Sequence, residues 1–142
     1  LRTVPVRLFT SIRVTDSVTN GISYFYAEVR RLKALLTALE HDHPFPLFFL
    51  IDEIFRGTNN RERLIGSRAY IRSLVGQRGT GVISTHDLEL VQLADDMPQL
   101  ENAHFEETIL DSRMVFDYKL RTGPCPTTNA LKIMRMAGLP VE

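Results

Sequence analysis

Leu47-Phe48-Phe49-Leu50-Ile51-Asp52-Glu53 sets five apolar residues directly before two adjacent carboxylates. A strand of that kind delivers Asp52 and Glu53 to the carboxyl edge of a parallel sheet, where α/β folds bind their ligands. Two acids there can hold a divalent cation, usually through water, and polarise an attacking water molecule. A strand end meeting a capped loop accounts for the same letters without any chemistry. Ser84-Thr85-His86 closes a second apolar run one helix and one strand later, so His86 is expected on the same edge. Histidines titrate near neutrality, which suits hydrogen bonding to a phosphate or to the attacking water. The plainer alternative is a loop histidine with no role. Thr19-Asn20-Gly21-Ile22-Ser23 opens a helix, where free amides, a flexible Gly21 and the Ser23 hydroxyl offer a phosphate-binding surface. Helix capping alone explains those letters equally well.

The remaining candidates read as structure. His41 and His43 flank Asp42 in a loop ahead of Pro44, Met134 and Met136 fill space near a helix end, and Cys125, between two prolines, is not expected to act as a nucleophile. One cysteine makes an internal disulfide impossible and fits a reducing, cytoplasmic setting. Lys plus Arg and Asp plus Glu number 17 each, so the net charge is zero. A domain that gripped nucleic acid by itself would carry a basic excess, because phosphate neutralisation supplies most non-specific affinity. Arg61, Arg63, Arg68, Arg72 and Arg78 gather in one stretch and read as a solvated helix face. No apolar run approaches the roughly 20 residues of a membrane-spanning helix, and no signal-peptide layout opens the chain.

Around these residues the punctuation alternates strand and helix. Val4 to Val14 reads as a strand and Asp16 to Gly21 as a polar loop. Tyr24 to Leu39 reads as a helix with Phe25, Val29, Leu32, Leu36 and Leu39 on one face, and Ser23 as its cap. The continuous run Leu47 to Ile51 predicts a strand buried on both faces. Phe55 to Asn60 predicts a loop, followed by a helix with Leu64, Arg68, Ile71 and Val75 on one face. Thr80 to Ser84 is a short strand, and Asp87 should cap a helix over Leu88 to Ala94. Met114 to Leu120 alternates as a half-buried strand with Asn102 to Thr108 as its hairpin partner. Thr128 caps a final helix through Ala137, stopped by Gly138 and Pro140. The pattern describes one α/β domain over residues 1–142: a mostly parallel sheet with helices on both faces and an antiparallel C-terminal hairpin.

The order Gly21-Ile22-Ser23-Tyr24-Phe25…Glu28, then Asp52-Glu53-Ile54-Phe55-Arg56-Gly57-Thr58, then Ser84-Thr85-His86, resembles the ATPase domain of the DNA mismatch-repair MutS family. Asn102-Ala103-His104 resembles that family's Asn-x-His segment, and Tyr118 to Pro140 its closing strand and helix. The likeness runs from about Val4 to Pro140. It implies a P-loop NTPase fold of the ATP-binding-cassette type, with ATP and magnesium shared across a homodimer and DNA bound by other domains. By the same resemblance, Asp52 is the magnesium-side acid, Glu53 the water-activating carboxylate and His86 the switch histidine near the γ-phosphate. Gly21 and Ser23 belong to a signature that reaches the partner's nucleotide. Arg56, Gly57, Thr58 and Asn59 form the interface loop beside the nucleotide, and His104 lies near the adenine.

Three departures mark a divergent branch. Phe55 stands where the main branch has Gly, Asn59-Asn60-Arg61-Glu62-Arg63 replaces its Ser-Thr and following residues, and Asp87 follows the histidine where an aromatic is more usual. No Gly-x-x-x-x-Gly-Lys-Ser/Thr occurs, so the phosphate-cradling loop is missing. The chain is accordingly expected to be part of such a domain and to hydrolyse ATP negligibly by itself. Two readings from other classes stand beside this one: a non-catalytic dimerisation or interaction domain, and a metal-dependent nuclease using Asp52, Glu53 and His86.

Overall fold

Three parallel strands, β1 (Arg7–Ser11), β2 (Leu47–Asp52) and β3 (Gly79–Ser84), lie side by side in that order. The computed structural model describes residues 2–12, 21–111, 113–126 and 129–141, with only the backbone of 21–23. The chain forms two compact units, Leu1–Leu90 and Val91–Glu142. In the first, α1 (Gly21–Glu40) connects β1 to β2, and α2 (Asn60–Leu74) connects β2 to β3. These are the crossovers that parallel pairing demands. Register places Thr10 beside Leu50 and Leu50 beside Val82, and sets Asp52 beside Ser84 at the carboxyl edge.

The core joins Leu32, Leu35 and Leu39 of α1 to Leu47, Phe49 and Ile51 of β2 and to Tyr70, Ile71 and Leu74 of α2. Burying each large apolar side chain contributes about 1.5–3 kcal/mol. Tyr70 donates its hydroxyl to the Leu32 carbonyl at 2.8 Å, tying α2 to α1, and burial pushes its phenol up. Arg31 seats its guanidinium 4.0 Å from the Phe9 ring centre and donates to the Thr10 carbonyl, fastening α1 to β1.

Several expectations need correction. Strand β2 alternates buried and half-buried residues instead of being buried on both faces. On the sheet face opposite Leu47, Phe49 and Ile51, Leu8 and Val82 are 65% and 58% exposed. Within this unit the helical packing therefore serves one face and not both. Strand β1 is shorter than Val4 to Val14, and its expected end at Val14, like the loop residues 16–20, lies outside the described residues. Ser23 stands inside the first turn of α1, not ahead of it as a cap. The buried face of α2 runs through Ser67, Tyr70, Ile71 and Leu74, a rotation from the expected Leu64, Arg68, Ile71 and Val75, and Val75 falls beyond the helix. Asn59 caps α2, its side chain accepting the Glu62 amide at 3.0 Å.

After β3 come two short helices, α3 (Leu88–Val91) and α4 (Leu93–Asp96), in place of one over Leu88 to Ala94. The second unit then has two small antiparallel ladders where one hairpin was expected. One pairs β4 (Ala103–His104) with β7 (Arg121–Thr122), the other β5 (Glu107–Leu110) with β6 (Arg113–Phe116). Tyr118 adopts φ 56, which no continuing strand tolerates, so the alternating run stops at Phe116. Strand β6 is exposed along its length and not half-buried. The final helix, α5 (Ala130–Met136), ends at Gly138 with φ 82 as its sequence predicts, while Thr128 lies outside the described residues. No helix among the described residues is long and apolar enough to cross a membrane.

Candidate functional site

Parallel pairing brings the two polar strand ends together. Ser84 Oγ donates to Asp52 Oδ1 at 2.7 Å, and the Glu53 amide donates to the Ser84 carbonyl at 3.1 Å. Asp52, Glu53 and the segment leading to His86 thus share the carboxyl edge. His86 is exposed two residues beyond Ser84. An arginine completes the cluster: Arg56 Nη2 stands 2.6 Å from Glu53 Oε2 and 3.6 Å from Asp52 Oδ2. Neither the spacing nor the resemblance marked Arg56 as the counter-ion of both acids.

The loop after β2 bends sharply. Glu53 and Phe55 have φ 55 and 56, a region that disfavours any residue with a Cβ by about 1–2 kcal/mol. Glycine would adopt that geometry at position 55 without this cost. Here the Phe55 ring packs at 6.4 Å from Phe25 and edge-on at 6.1 Å from Tyr70. Aromatic packing offsets the backbone strain. The Phe55 amide donates to Glu28 Oε1 at 2.6 Å, so a carboxylate from α1 holds the turn. Burial pushes the Glu28 carboxyl up, while the amides of Phe55 and Arg56 pull it the other way. Gly57 lies so close to α1 that a Cβ there would come within 2.7 Å of the Phe25 Cβ.

The other expected residues divide. Thr58 Oγ1 donates to Glu62 at 2.7 Å and Asn59 caps α2, so both have structural employment at the start of that helix. Gly21 and Ser23 lie in the first turn of α1, and the Ser23 side chain is outside the described atoms. His104 belongs to the second unit, its Nδ1 2.7 Å from the Gly123 carbonyl and its Nε2 3.2 Å from Glu106 Oε1. Asp87 does not cap a helix with its side chain; its carboxylate is held by Arg63 through two contacts of 3.0 and 2.9 Å. His43 Nδ1 accepts the Phe45 amide and Arg78 approaches Asp42, which makes that loop a local structure.

Asp52, Glu53 and Ser84 present hard oxygen donors of the kind magnesium takes from a protein, one or two carboxylates with the rest supplied by water and phosphate. Among the described residues no group of three or more His, Cys, Asp or Glu could hold a metal alone. The donor set therefore fits a cation that brings ligands of its own.

Comparison with known proteins bears on this geometry. The family described as MutS domain V matches residues 3–142. The chain is 31% identical over 137 residues to the DNA mismatch repair protein MutS 2 of Halobacterium salinarum, covering 94% of this chain and 15% of that protein. It is 30% identical to the DNA mismatch repair protein MutS of Roseiflexus castenholzii, covering 94% and 12%, and 29% identical to that of Natronomonas pharaonis, covering 96% and 16%. It thus spans less than a fifth of the length of these relatives. With its acidic edge and its Asp-Glu-Ile-Phe-Arg-Gly-Thr turn, the chain belongs to the MutS domain V family.

Proposed function

We propose that this chain supplies the acidic, water-activating edge of an ATPase site in a MutS-type DNA repair protein, within a P-loop NTPase fold of the ATP-binding-cassette type. The observation that carries the reading is the junction of Asp52, Glu53 and Ser84 at one carboxyl edge, in a chain of the MutS domain V family. Magnesium, when bound, supplies charge neutralisation of the phosphates. Asp52 would hold it on the protein side, its carboxylate fixed by the Ser84 hydroxyl through Oδ1. Glu53 accepts a proton from the attacking water. His86 donates a hydrogen bond to the phosphate being transferred. Arg56, with Gly57, Thr58 and Asn59, belongs to the loop that would lie beside the nucleotide. Ser23 reaches the nucleotide of a second subunit in a homodimer, His104 serves the adenine side, and nucleotide state is coupled to closure on DNA.

Phosphate cradling must come from a Gly-Lys loop that these 142 residues lack. Two preparations test the reading: the 142-residue chain should show negligible ATP hydrolysis, and the full-length protein should hydrolyse ATP only with a divalent cation. ATP-independent, metal-dependent DNA cleavage by the full-length protein would point to the nuclease reading instead. The short Arg56–Glu53 contact favours a second reading, a non-catalytic interaction domain whose acids are satisfied internally. Full-length protein that dimerises without regard to ATP and hydrolyses none would establish it.

A further inference from the structure

Two charged residues distant in sequence meet in space: Arg63 in the first turn of α2, and Asp87 directly after His86. They are 24 positions apart, yet Arg63 Nε donates to Asp87 Oδ2 at 3.0 Å and Nη2 to Asp87 Oδ1 at 2.9 Å. A two-pronged arginine–carboxylate contact fixes orientation as well as distance. Both ends are themselves anchored. The Arg63 amide donates to the Asn59 carbonyl at 2.9 Å in the capped first turn of α2. The Asp87 amide donates to Thr85 Oγ1 at 3.0 Å, closing a tight turn whose middle residue is His86. The Asp87 carbonyl accepts the Leu90 amide at 3.0 Å, which starts α3. A longer contact of 3.5 Å from Arg68 to Glu89 ties α2 to the same stretch. His86 therefore sits on a turn pinned at both flanks, with Ser84 bonded to Asp52 on its upstream side.

Arg63 and Asp87 keep only 20% and 27% of their side-chain surface exposed, so water competes little for the contact. Its planar, two-pronged geometry sets the direction in which the turn leaves α2. We propose that Arg63 and Asp87 form a clamp that positions His86 at the Asp52–Glu53 edge. Arg63 and Asp87 are positioning residues: they act through His86 and touch no reactant. The inference rests on the reading that His86 serves a nucleotide at this edge.

The test uses the full-length protein with Arg63→Gln, Arg63→Lys, Asp87→Asn and the charge exchange Arg63→Asp/Asp87→Arg. Hydrogen–deuterium exchange of residues 85–88 is read beside kcat and KM for ATP. Each single variant, Arg63→Lys included, should raise exchange in that peptide and lower kcat by about tenfold, which is about 1.4 kcal/mol in the barrier, with KM within about twofold. The charge exchange should recover most of both losses, because it restores the pair in reverse. Unchanged exchange in the single variants overturns the clamp. Raised exchange with wild-type kcat overturns its role in positioning His86. A wild-type protein that hydrolyses no ATP overturns the nucleotide reading itself and the positioning role with it, while the exchange measurement separately reports whether the pair holds the turn.

Discussion

Arg56 holds a guanidinium nitrogen 2.6 Å from Glu53 Oε2, so an internal cation sits on the acid expected to activate water. The same nitrogen lies 3.6 Å from Asp52. A divalent cation binding here competes with a charge the protein already provides. Arg56→Gln should tighten Mn2+ binding to the full-length protein, by about tenfold or about 1.4 kcal/mol. Titration followed by Mn2+ electron paramagnetic resonance reads this directly; unchanged affinity would show that Arg56 does not contest the cation.

Backbone geometry at Phe55 reverses a usual rule. Glycine normally destabilises an ordered segment relative to alanine, but φ 56 at this position favours a residue without Cβ. Phe55→Ala loses the ring packing on Phe25 and Tyr70 and keeps the strain, whereas Phe55→Gly loses the packing and relieves it. Urea unfolding should rank Phe55→Gly above Phe55→Ala by about 1 kcal/mol, with both below wild type. The opposite order would mean that the turn relaxes once the ring is gone.

Glu28 gives a pH dependence with a definite sign. Burial raises its carboxyl above the ordinary 4.5, so the folded chain takes up this proton at higher pH than the unfolded chain. Its stabilising contribution is complete below 4.5 and fades as pH rises through the raised folded value. Glu28→Gln retains an oxygen to accept the Phe55 amide and has no charge to desolvate. Melting temperatures of variant and wild type should converge in acid, with the variant gaining relative to wild type as pH rises. A constant difference across that range would show that Glu28 does not titrate on folding.

The hydroxyl of Tyr70 is buried against the Leu32 carbonyl, which lies inside α1 and keeps its helical donor when the hydroxyl is lost. Tyr70→Phe should therefore destabilise the chain by only about 0.5–1.5 kcal/mol, the net worth of one hydrogen bond, in urea unfolding with an unchanged m-value. No loss would indicate that water replaces the hydroxyl.

The run Leu47 to Ile51 and its terminal acids declared β2 and the carboxyl edge plainly: the strand runs one residue past the apolar run, and parallel pairing aligns Asp52 with Ser84. Asp-Glu-Ile-x-Arg-Gly-Thr carried the family. The buried face of α2 was harder to read, since its small Ser67 and its partly polar Tyr70 hide the helical stripe. Position 118 broke a run that alternates in letters apart from Val115, through a backbone angle that letters do not encode. Glu28 and the Arg63–Asp87 pair were invisible because their partners come from other elements, and Arg56 because its return onto Glu53 depends on the positive φ angles of the intervening turn.

Glu53 is the residue on which the functional account turns. A single-turnover measurement on full-length protein, with ATP binding determined alongside, compares wild type with Glu53→Gln. The account predicts nucleotide affinity within about twofold and hydrolysis slowed by about 100-fold or more, the scale of losing a general base. Hydrolysis at the wild-type rate in Glu53→Gln would contradict it.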